Sequence, residues 1–228
     1  MNTNDSKHEF SDSISKVAEM FSERYRKYGD RPECAEHSDL DSQERRMRFV
    51  CEVADLRDAK VLDFGCATGH MLTFLKREFD FAGSYVGYDI SPVMIEAAQE
   101  KFGGEKARFE VRDILSQGVD EEFDYVLISG TFNDLTGDNW GWMTAVLRTL
   151  FAKSRVALAF NNLTRYVDYL DDHLFYVDPT KVFQFCKEEL SPKVSLRHDY
   201  CIREGVVPYE FTTYVYATDI DCRKLNLT

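Results

Sequence analysis

The sequence has little positive charge, no paired cysteine motif and no long apolar run, and each absence excludes a class of protein. Its 228 residues carry 28 Lys and Arg against 40 Asp and Glu, a formal net charge of -12. This charge repels phosphate backbones and anionic membranes, so we expect neither nucleic acid nor a membrane as a partner. No window approaches the roughly 20 apolar residues of a spanning helix, and MNTNDSKHEF at the N-terminus contains no apolar signal segment. We therefore expect a cytoplasmic protein whose partners are small molecules.

The cysteine and proline content narrows the class further. The six cysteines are scattered without a CxxC pair, which argues against a zinc knuckle or a dithiol redox site. Only five prolines and no low-complexity tract interrupt a chain that is 44% hydrophobic and 14% aromatic. This composition is typical of a folded globule, and the length suits one domain built on a single sheet.

Strand-like and helix-like runs alternate from residue 60 onward. The predicted strands are KVLDF, SYVGYDI, ARFEVRDI, DYVLISG and RVALAFN, and the predicted helices are MLTFLKREF, PVMIEAAQEKF and WGWMTAVLRTLF. This alternation predicts a three-layer, Rossmann-like α/β fold with a parallel sheet. Near the C-terminus, KVSLRHDYCI and YEFTTYVYA flank REGVVP, which predicts an antiparallel hairpin at one sheet edge.

Two helical stretches, residues 11–29 and 40–56, precede the sheet and are separated by a charged connector. We expect residues 1–57 to form an N-terminal helical cap over the C-terminal edge of the sheet. Residues 58–228 are then the Rossmann-like core, within a single domain overall. The aromatic segment 161–179 is expected to cover another part of the protein, because its tyrosines and leucines do not suit a solvated loop.

The stretch VLDFGCATGH, residues 61–70, places glycines where a strand ends and a helix begins. Asp63, Gly65 and Gly69 allow a ligand to approach the backbone and meet N–H groups at a helix N-terminus, which favours a nucleotide or a carboxylate. Asp89 ends the next predicted strand, where a carboxylate can accept both hydroxyls of a ribose. Asp113 would end the third strand, where it could meet an adenine amino group or simply cap a helix.

Four stretches, VLDFGCATGH, YVGYDISPVMIEAAQ, FEVRDIL and FDYVLISGTFND, resemble the ordered motifs of class I S-adenosylmethionine (SAM) dependent methyltransferases. The resemblance spans roughly residues 58–160 and implies a seven-strand sheet with SAM across the strand ends. It implies that Asp63 and Gly65 line the methionine end, that Asp89 takes the ribose and that Ser129 faces the sulfonium. The remaining cofactor-binding residues it implies are Gly69, Ile90, Asp113 and Ile114.

One position departs from the pattern of that family. Ala67 stands where the family usually has its middle glycine. A methyl group there could shift how the methionine tail of SAM lies, but we expect a tolerated substitution that leaves the helical backbone geometry unchanged.

A resemblance over the whole chain concerns the reaction. The tyrosine-rich N-terminal cap, SGTFNDLTGDNW and HLFYVDP resemble the azetidine-2-carboxylic acid synthases. Those enzymes keep the methyltransferase fold, close the aminobutyrate tail of SAM into a four-membered ring and release 5'-methylthioadenosine. The resemblance implies that Tyr176 holds the sulfonium through a cation–π contact and that Asn139 holds the folded tail.

Other residues are candidates for contacts with SAM. Arg46 and Gln43 could grip its carboxylate, and Tyr25 and Tyr28 could close over it. Each candidate has a structural alternative: Tyr176 could pack within a lid, Asn139 could cap a helix, the two tyrosines could be helix core residues, and Arg46 could lie on a solvated face.

Cyclisation of SAM is the leading hypothesis, and methyl transfer to oxygen or nitrogen of a small acceptor is the alternative. Under the alternative, His173, His198 or Asp134 could serve as a general base. A magnesium site formed by Asp134, Asp138 and Asn139 is a weaker hypothesis, because one loop rarely supplies the geometry that hard cations need; we expect no metal. A SAM-binding protein without catalytic activity is the remaining possibility.

Overall fold

The computed structural model of the protein describes residues 11–36, 38–103, 106–134 and 137–217. The first ten residues of the expected cap therefore lie outside the described part of the chain. The helices are α1 (Ser11–Tyr28), α2 (Leu40–Cys51), α3 (His70–Glu78), α4 (Pro92–Phe102), α5 (Ile114–Gln117), α6 (Asn139–Phe151) and α7 (Pro179–Phe185). A 3-10 turn covers Pro32–Ala35, and a π-helical turn, Cys186–Leu190, follows α7.

One sheet organises the molecule. Its strands are β1 (Lys60–Phe64), β2 (Ser84–Asp89), β3 (Ala107–Val111), β4 (Phe123–Ile128), β5 (Ser154–Thr164), β6 (Tyr176–Val177), β7 (Lys193–Arg197) and β8 (Glu210–Tyr216). Their order is β3-β2-β1-β4-β5-β8-β7, and β6 pairs with β5. Strands β1 to β5 run parallel, whereas β8 is antiparallel to both β5 and β7. The predicted α/β sheet and terminal hairpin are confirmed.

Alternate residues of the central strands pack into two buried layers. In β1, Val61 joins α2, α3 and α4 on one face, and Leu62 joins α6 and α7 on the other. This alternation follows from the two-residue period of a strand, and it produces the predicted three layers. Because β1 and β4 are covered on both faces, only their ends are open to a ligand.

Two predicted segments differ in detail. The first strand of the hairpin ends at Arg197, and the residues after it turn back so that the ring of Tyr200 stacks on Phe49 at a centroid distance of 3.7 Å. The aromatic segment 161–179 begins as the end of β5, and its middle does not cover the protein as expected: Tyr169 is 76% exposed. None of the helices that the structure describes combines the length and apolar character that crossing a membrane requires.

Candidate functional site

A cavity of about 410 Å³ opens where β1, β2 and β4 end. Residues that follow these three strands line it from the sheet side, and Phe21 of α1 and Met47 of α2 line it from the N-terminal helices. The volume lies within the range of about 300 to 1,000 Å³ that is usual for small-molecule sites. Ligands of open α/β sheets bind at the carboxyl ends of the strands, so this cavity is the expected place for SAM.

Asp63 enters the cavity from the end of β1 and is only 3% exposed. Its carboxylate accepts a hydrogen bond from the hydroxyl of Tyr85 in β2. The pKa of Asp63 is raised to about 7. Burial is the largest cause, the hydrogen bond from Tyr85 opposes it, and the nearby charge of Asp89 acts in the same direction as burial. A positive charge close to such a buried acid stabilises its ionised form, so the site favours a cationic ligand.

The turn after β1 needs a left-handed backbone at three places. Gly65 and Gly69 have φ angles of 79° and 78°. A Cβ at Gly69 would lie 2.8 Å from ring atoms of Phe102 and of Phe109, so close packing also demands glycine there. Ala67 has a φ of 46°, so the expectation of unchanged helical geometry at this residue is wrong; an L-residue in this region is strained.

Asp89, at the end of β2, holds this turn in place. Its Oδ2 accepts the N–H of Ala67 at 2.9 Å, and its Oδ1 accepts the N–H of Ser91 at 2.8 Å. Burial raises the pKa of Asp89, and these backbone hydrogen bonds oppose the shift. Asp89 and the adjacent Ile90 both line the cavity, where the spare lone pairs of the carboxylate suit the hydroxyls of a ribose.

The connector after α1 closes against the same turn. Asp30 accepts a hydrogen bond of 2.6 Å from the Thr68 hydroxyl. It also forms an ion pair with Lys101 of α4, at a distance of 2.9 Å. All three residues line the cavity, but the sequence analysis missed them. Only the charge of the connector pointed to this contact, because the partners of Asp30 lie far along the chain.

Asp134 follows β4 and lines the cavity, as do Ser129 and Thr131. Its carboxyl group lies near that of Glu36, which follows the 3-10 turn. Burial raises the pKa of Asp134 well above its ordinary range, and the Glu36 carboxyl group raises it further. Of the three candidate bases, Asp134 alone is a lining residue among those described: the ring nitrogen of His173 contacts Asp171, and His198 contacts the Pro208 carbonyl.

Arg46 does not reach the cavity, contrary to the prediction. Its Nε pairs with Glu210 of β8 at 2.5 Å, and the two side chains are 11% and 0% exposed. A buried charge requires such a partner, so Arg46 joins α2 to the sheet. Its neighbour on the same helix, Gln43, does line the cavity.

The two residues assigned to cyclisation also lie outside the described lining of the cavity. Tyr176 forms β6, and its hydroxyl accepts the N–H of Asp171 at 3.3 Å. Asn139 is the first residue of α6, and its amide donates to the backbone carbonyl of Asp134 at 2.5 Å. Asn139 therefore fixes the loop that carries Asp134, and its contact with SAM stays a prediction.

Five further predicted residues are absent from the described lining, and one of them is Gly69. Asp113 accepts the N–H of Leu115 at 3.0 Å as the cap of α5, and Ile114 is buried in the core. Tyr25 is half-buried in α1, and Tyr28 packs its ring under Lys27 at 4.7 Å. Asp113 and Tyr28 therefore have local partners, a backbone N–H group and a lysine ammonium, and these contacts explain their positions without a ligand.

No metal site emerges within the described ranges, where three His, Cys, Asp or Glu residues are nowhere grouped to hold an ion. Asp138 instead caps α6 by accepting the N–H of Gly141 at 2.9 Å. The cavity suits SAM in three respects. Asp63 is a buried acid that complements a sulfonium, and Asp89 has lone pairs for the ribose hydroxyls. The glycine turn packs so closely that a Cβ added at Gly65 would lie 3.0 Å from the Thr131 methyl carbon.

Comparisons with known proteins agree with this geometry. Residues 61–153 match the family model of a methyltransferase domain. A Mycobacterium tuberculosis protein named "Putative methyltransferase Rv1506c" is 37% identical over 159 residues, which cover 67% of this chain and 90% of that protein. The malonyl-[acyl-carrier protein] O-methyltransferase of Acetivibrio thermocellus is 31% identical over 102 residues, 42% of this chain and 35% of that enzyme.

A solved structure supplies the fold comparison. The magnesium protoporphyrin IX methyltransferase from Synechocystis PCC 6803 with bound SAM superposes with a TM-score of 0.66 at 15% identity, over 90% of this chain and 97% of that one. The same protein is also known with bound SAH. At this identity the likeness concerns the fold alone. The matched domain, the relative that is 37% identical and the shared fold together assign this chain to the class I SAM-dependent methyltransferase family.

Proposed function

We propose that the protein transfers the methyl group of SAM to an oxygen or a nitrogen of a small acceptor. The observation that carries this proposal is the cavity itself, which is lined by buried acids, by the glycine turn that follows β1 and by Asp134, which follows β4. SAM supplies a carbon bonded to a positively charged sulfur. The chain would hold that charge near the carboxylate of Asp63 and bind the acceptor beside Asp134.

The size and walls of the cavity support a small acceptor. About 410 Å³ is toward the lower end of the usual range, and SAM would take a large share of it. Side chains of α1 and α2, including Phe21 and Met47, form the apolar wall facing the strand ends. Excluding water in this way strengthens the attraction between buried carboxylates and the sulfonium.

Cyclisation of SAM is a second candidate, and the position of Asp134 supports it as well. A buried carboxyl group in this cavity could take a proton from the α-amine of SAM just as it could from an acceptor. Cyclisation does not require Tyr176 or Asn139 to contact SAM, since both side chains have other partners. It depends on a folded tail whose amine lies about 3 to 3.5 Å from the carbon it attacks.

The test is to incubate the purified protein with SAM alone and with a panel of small phenols, carboxylic acids and amines, and to identify products by mass spectrometry. Acceptor-dependent SAH supports methyl transfer, whereas 5'-methylthioadenosine with azetidine-2-carboxylate from SAM alone would replace it with cyclisation. Asp89→Ala should weaken SAM binding at least about 100-fold, because two backbone N–H groups lose their buried acceptor. Glu122→Gln, an exposed change, is the matched control.

A further inference from the structure

We propose that the methyl acceptor is an apolar molecule about 10 Å long, with an alkyl or aromatic body that lies along α1 and α2 and one polar group that reacts. The inference rests on the proposed function, because it places SAM at the strand ends of the same cavity, and it adds the substrate class. It starts from the wall that the two N-terminal helices contribute to the cavity.

This helical wall, which we define as the lining residues of α1 and α2, is apolar except for one glutamine. Its members are Ile14, Val17 and Phe21 of α1 and Leu40, Gln43 and Met47 of α2. Steps of three and four residues place each set on one face of its helix. Ile14 and Phe21 are two turns apart, so the α1 part of the wall is about 10 Å long.

The apolar face of α1 is not used to build the core. Ile14, Val17 and Phe21 are half-buried and belong to neither of the two buried layers of the described chain. Glu23, on the opposite face of the helix, is exposed, and Leu40 at the start of α2 is 46% exposed. An amphipathic helix usually turns its apolar stripe toward a core. Here the stripe faces the cavity, and an apolar ligand that covers it gains free energy by leaving water.

Polar contacts hold this wall in place without closing it onto the sheet. The hydroxyl groups of Ser22 in α1 and Ser91 before α4 share a hydrogen bond of 2.9 Å, and both residues are buried. After the helix, Asp30 accepts the hydrogen bond from Thr68 in the glycine turn. The wall is therefore formed before the ligand binds, and less free energy is spent on ordering it.

The polar lining residues lie in other parts of the cavity. Asp63 and Asp89 follow strands and suit SAM, as described above. Arg31, in the connector, and Asp134 have opposite charges, so the charge of the lining does not select the acceptor. Polarity does, because a polar acceptor body against the helical wall would lose hydrogen bonds to water and find only Gln43 there in exchange.

The test measures binding to the protein saturated with SAH, so it needs no turnover. N-phenyl-naphthylamine is a neutral probe that fluoresces in apolar surroundings; it should bind saturably, and linear alcohols should displace it. From butanol through hexanol to octanol, the dissociation constant should fall about fourfold for each methylene group that the wall buries. Glycerol is the polar control and should not displace the probe. Equal displacement by butanol and octanol would overturn the inference.

Variants of the helical wall test whether the alcohols bind there. Val17→Thr keeps the shape of the side chain and adds a hydroxyl group, so it should raise the dissociation constant of octanol at least about fourfold and leave SAH affinity unchanged. Leu40→Gln, at a more exposed position where folding is less at risk, should have the same effect. Val111→Thr, an exposed position in β3 outside the described lining, is the matched control.

Two outcomes would contradict the assignment of this wall. Unchanged octanol affinity in both Val17→Thr and Leu40→Gln would show that the alcohols bind elsewhere. Equal losses of SAH and octanol affinity in Val17→Thr would show that the wall contacts SAM rather than the acceptor.

Product analysis keeps this inference separate from the proposed function. SAH released with alkyl or aryl acceptors and not with sugars or free amino acids supports both. SAH released only with those polar acceptors supports methyl transfer and overturns the apolar acceptor. If SAM alone yields 5'-methylthioadenosine, methyl transfer fails, whereas octanol binding that Val17→Thr weakens would still support an apolar ligand on this wall.

Discussion

Acidic side chains are stabilised by different partners in the two regions that surround the cavity. On the glycine-turn side, which we define as residues 63–69 with Asp89, the buried acids receive hydrogen bonds from Tyr85 and from backbone N–H groups. No ion pair of Asp63 or Asp89 with a basic side chain is found in the described part of the chain. On the N-terminal side, which we define as α1, α2 and the segment between them, Arg46 pairs with Glu210 and Arg24 with Glu36.

This difference distinguishes acids that a bound cation could stabilise from acids that already have a cationic partner. A buried acid that lacks a cation has a raised pKa, and a positively charged ligand can relieve the energetic cost. A buried acid that already has a cation needs nothing further, and its value is in joining two elements. Asp134 lies between these cases, because its nearest charged neighbours include both Glu36 and Arg24. Substitutions in either region should therefore have different consequences for stability and for SAM binding.

The largest expected effect is on stability, from Arg46→Ala on the N-terminal side. Removing the guanidinium leaves Glu210 buried and unpaired, which should lower the free energy of unfolding by about 3 to 5 kcal/mol. SAM affinity of the folded protein should be unchanged, because Arg46 does not line the cavity. Urea unfolding and calorimetry measure the two quantities.

The control is Arg45→Ala on the same helix. Arg45 pairs with Asp41 at the surface, and an exposed pair of this kind contributes at most about 0.5 kcal/mol. A loss of SAM affinity in Arg46→Ala with little loss of stability would restore the original prediction that Arg46 grips the SAM carboxylate.

The sequence predicted the glycine-turn side because its requirements are local. Gly65 and Gly69 need a backbone that only glycine adopts easily, and the contacts of Asp89 and Asp63 join neighbouring strands, 22 positions apart for Ala67 with Asp89 and for Tyr85 with Asp63. The same local periodicity predicted the alternation of strands and helices and the terminal hairpin.

The N-terminal side could not be predicted in this way, because its partners are distant in sequence. Arg46 lies on a polar helix face, and a helical pattern cannot tell whether its charge meets solvent, a ligand or Glu210, which is 164 positions away. The proximity of Glu36 and Asp134 has no sequence signal either, since each residue alone is consistent with an exposed acid in a loop. Only the fold brings them together.

A smaller effect should come from Asp63 as the pH changes. The folded pKa is about 7 and the unfolded value is about 3.9, so the folded state keeps a proton that the unfolded state releases. The contribution of Asp63 to stability is therefore greatest on the acid side and should fall by about 2 kcal/mol between about pH 5 and pH 7. Denaturant unfolding at several pH values measures this slope.

Asp63→Asn should remove that part of the slope, because an amide oxygen can still accept the Tyr85 hydrogen bond but cannot titrate. Part of the slope should remain, since the pKa of Asp89 is raised as well. Asp58→Asn, an exposed change just before β1, is the control. An unchanged pH dependence in Asp63→Asn would show that Asp63 is already ionised in the free protein.

The smallest effect should be a gain, from Ala67→Gly within the glycine turn. Relief of the left-handed strain contributes about 1 to 2 kcal/mol, and the greater entropy of glycine in the unfolded chain offsets about 0.4 to 1 kcal/mol. The net stabilisation of about 1 kcal/mol should raise the melting temperature by about 2 to 4 °C. SAM affinity should be unchanged, because the substitution keeps the backbone N–H that Asp89 accepts.

The same substitution at a right-handed position gives the contrast. Ala98 lies within α4 and is fully buried, so Ala98→Gly should lower stability by about 0.5 to 1 kcal/mol. Opposite signs at the two alanines would establish that this chain accepts backbone strain beside the carboxylate that holds its turn. If both changes lower stability, the left-handed backbone of Ala67 has no energetic cost in this turn.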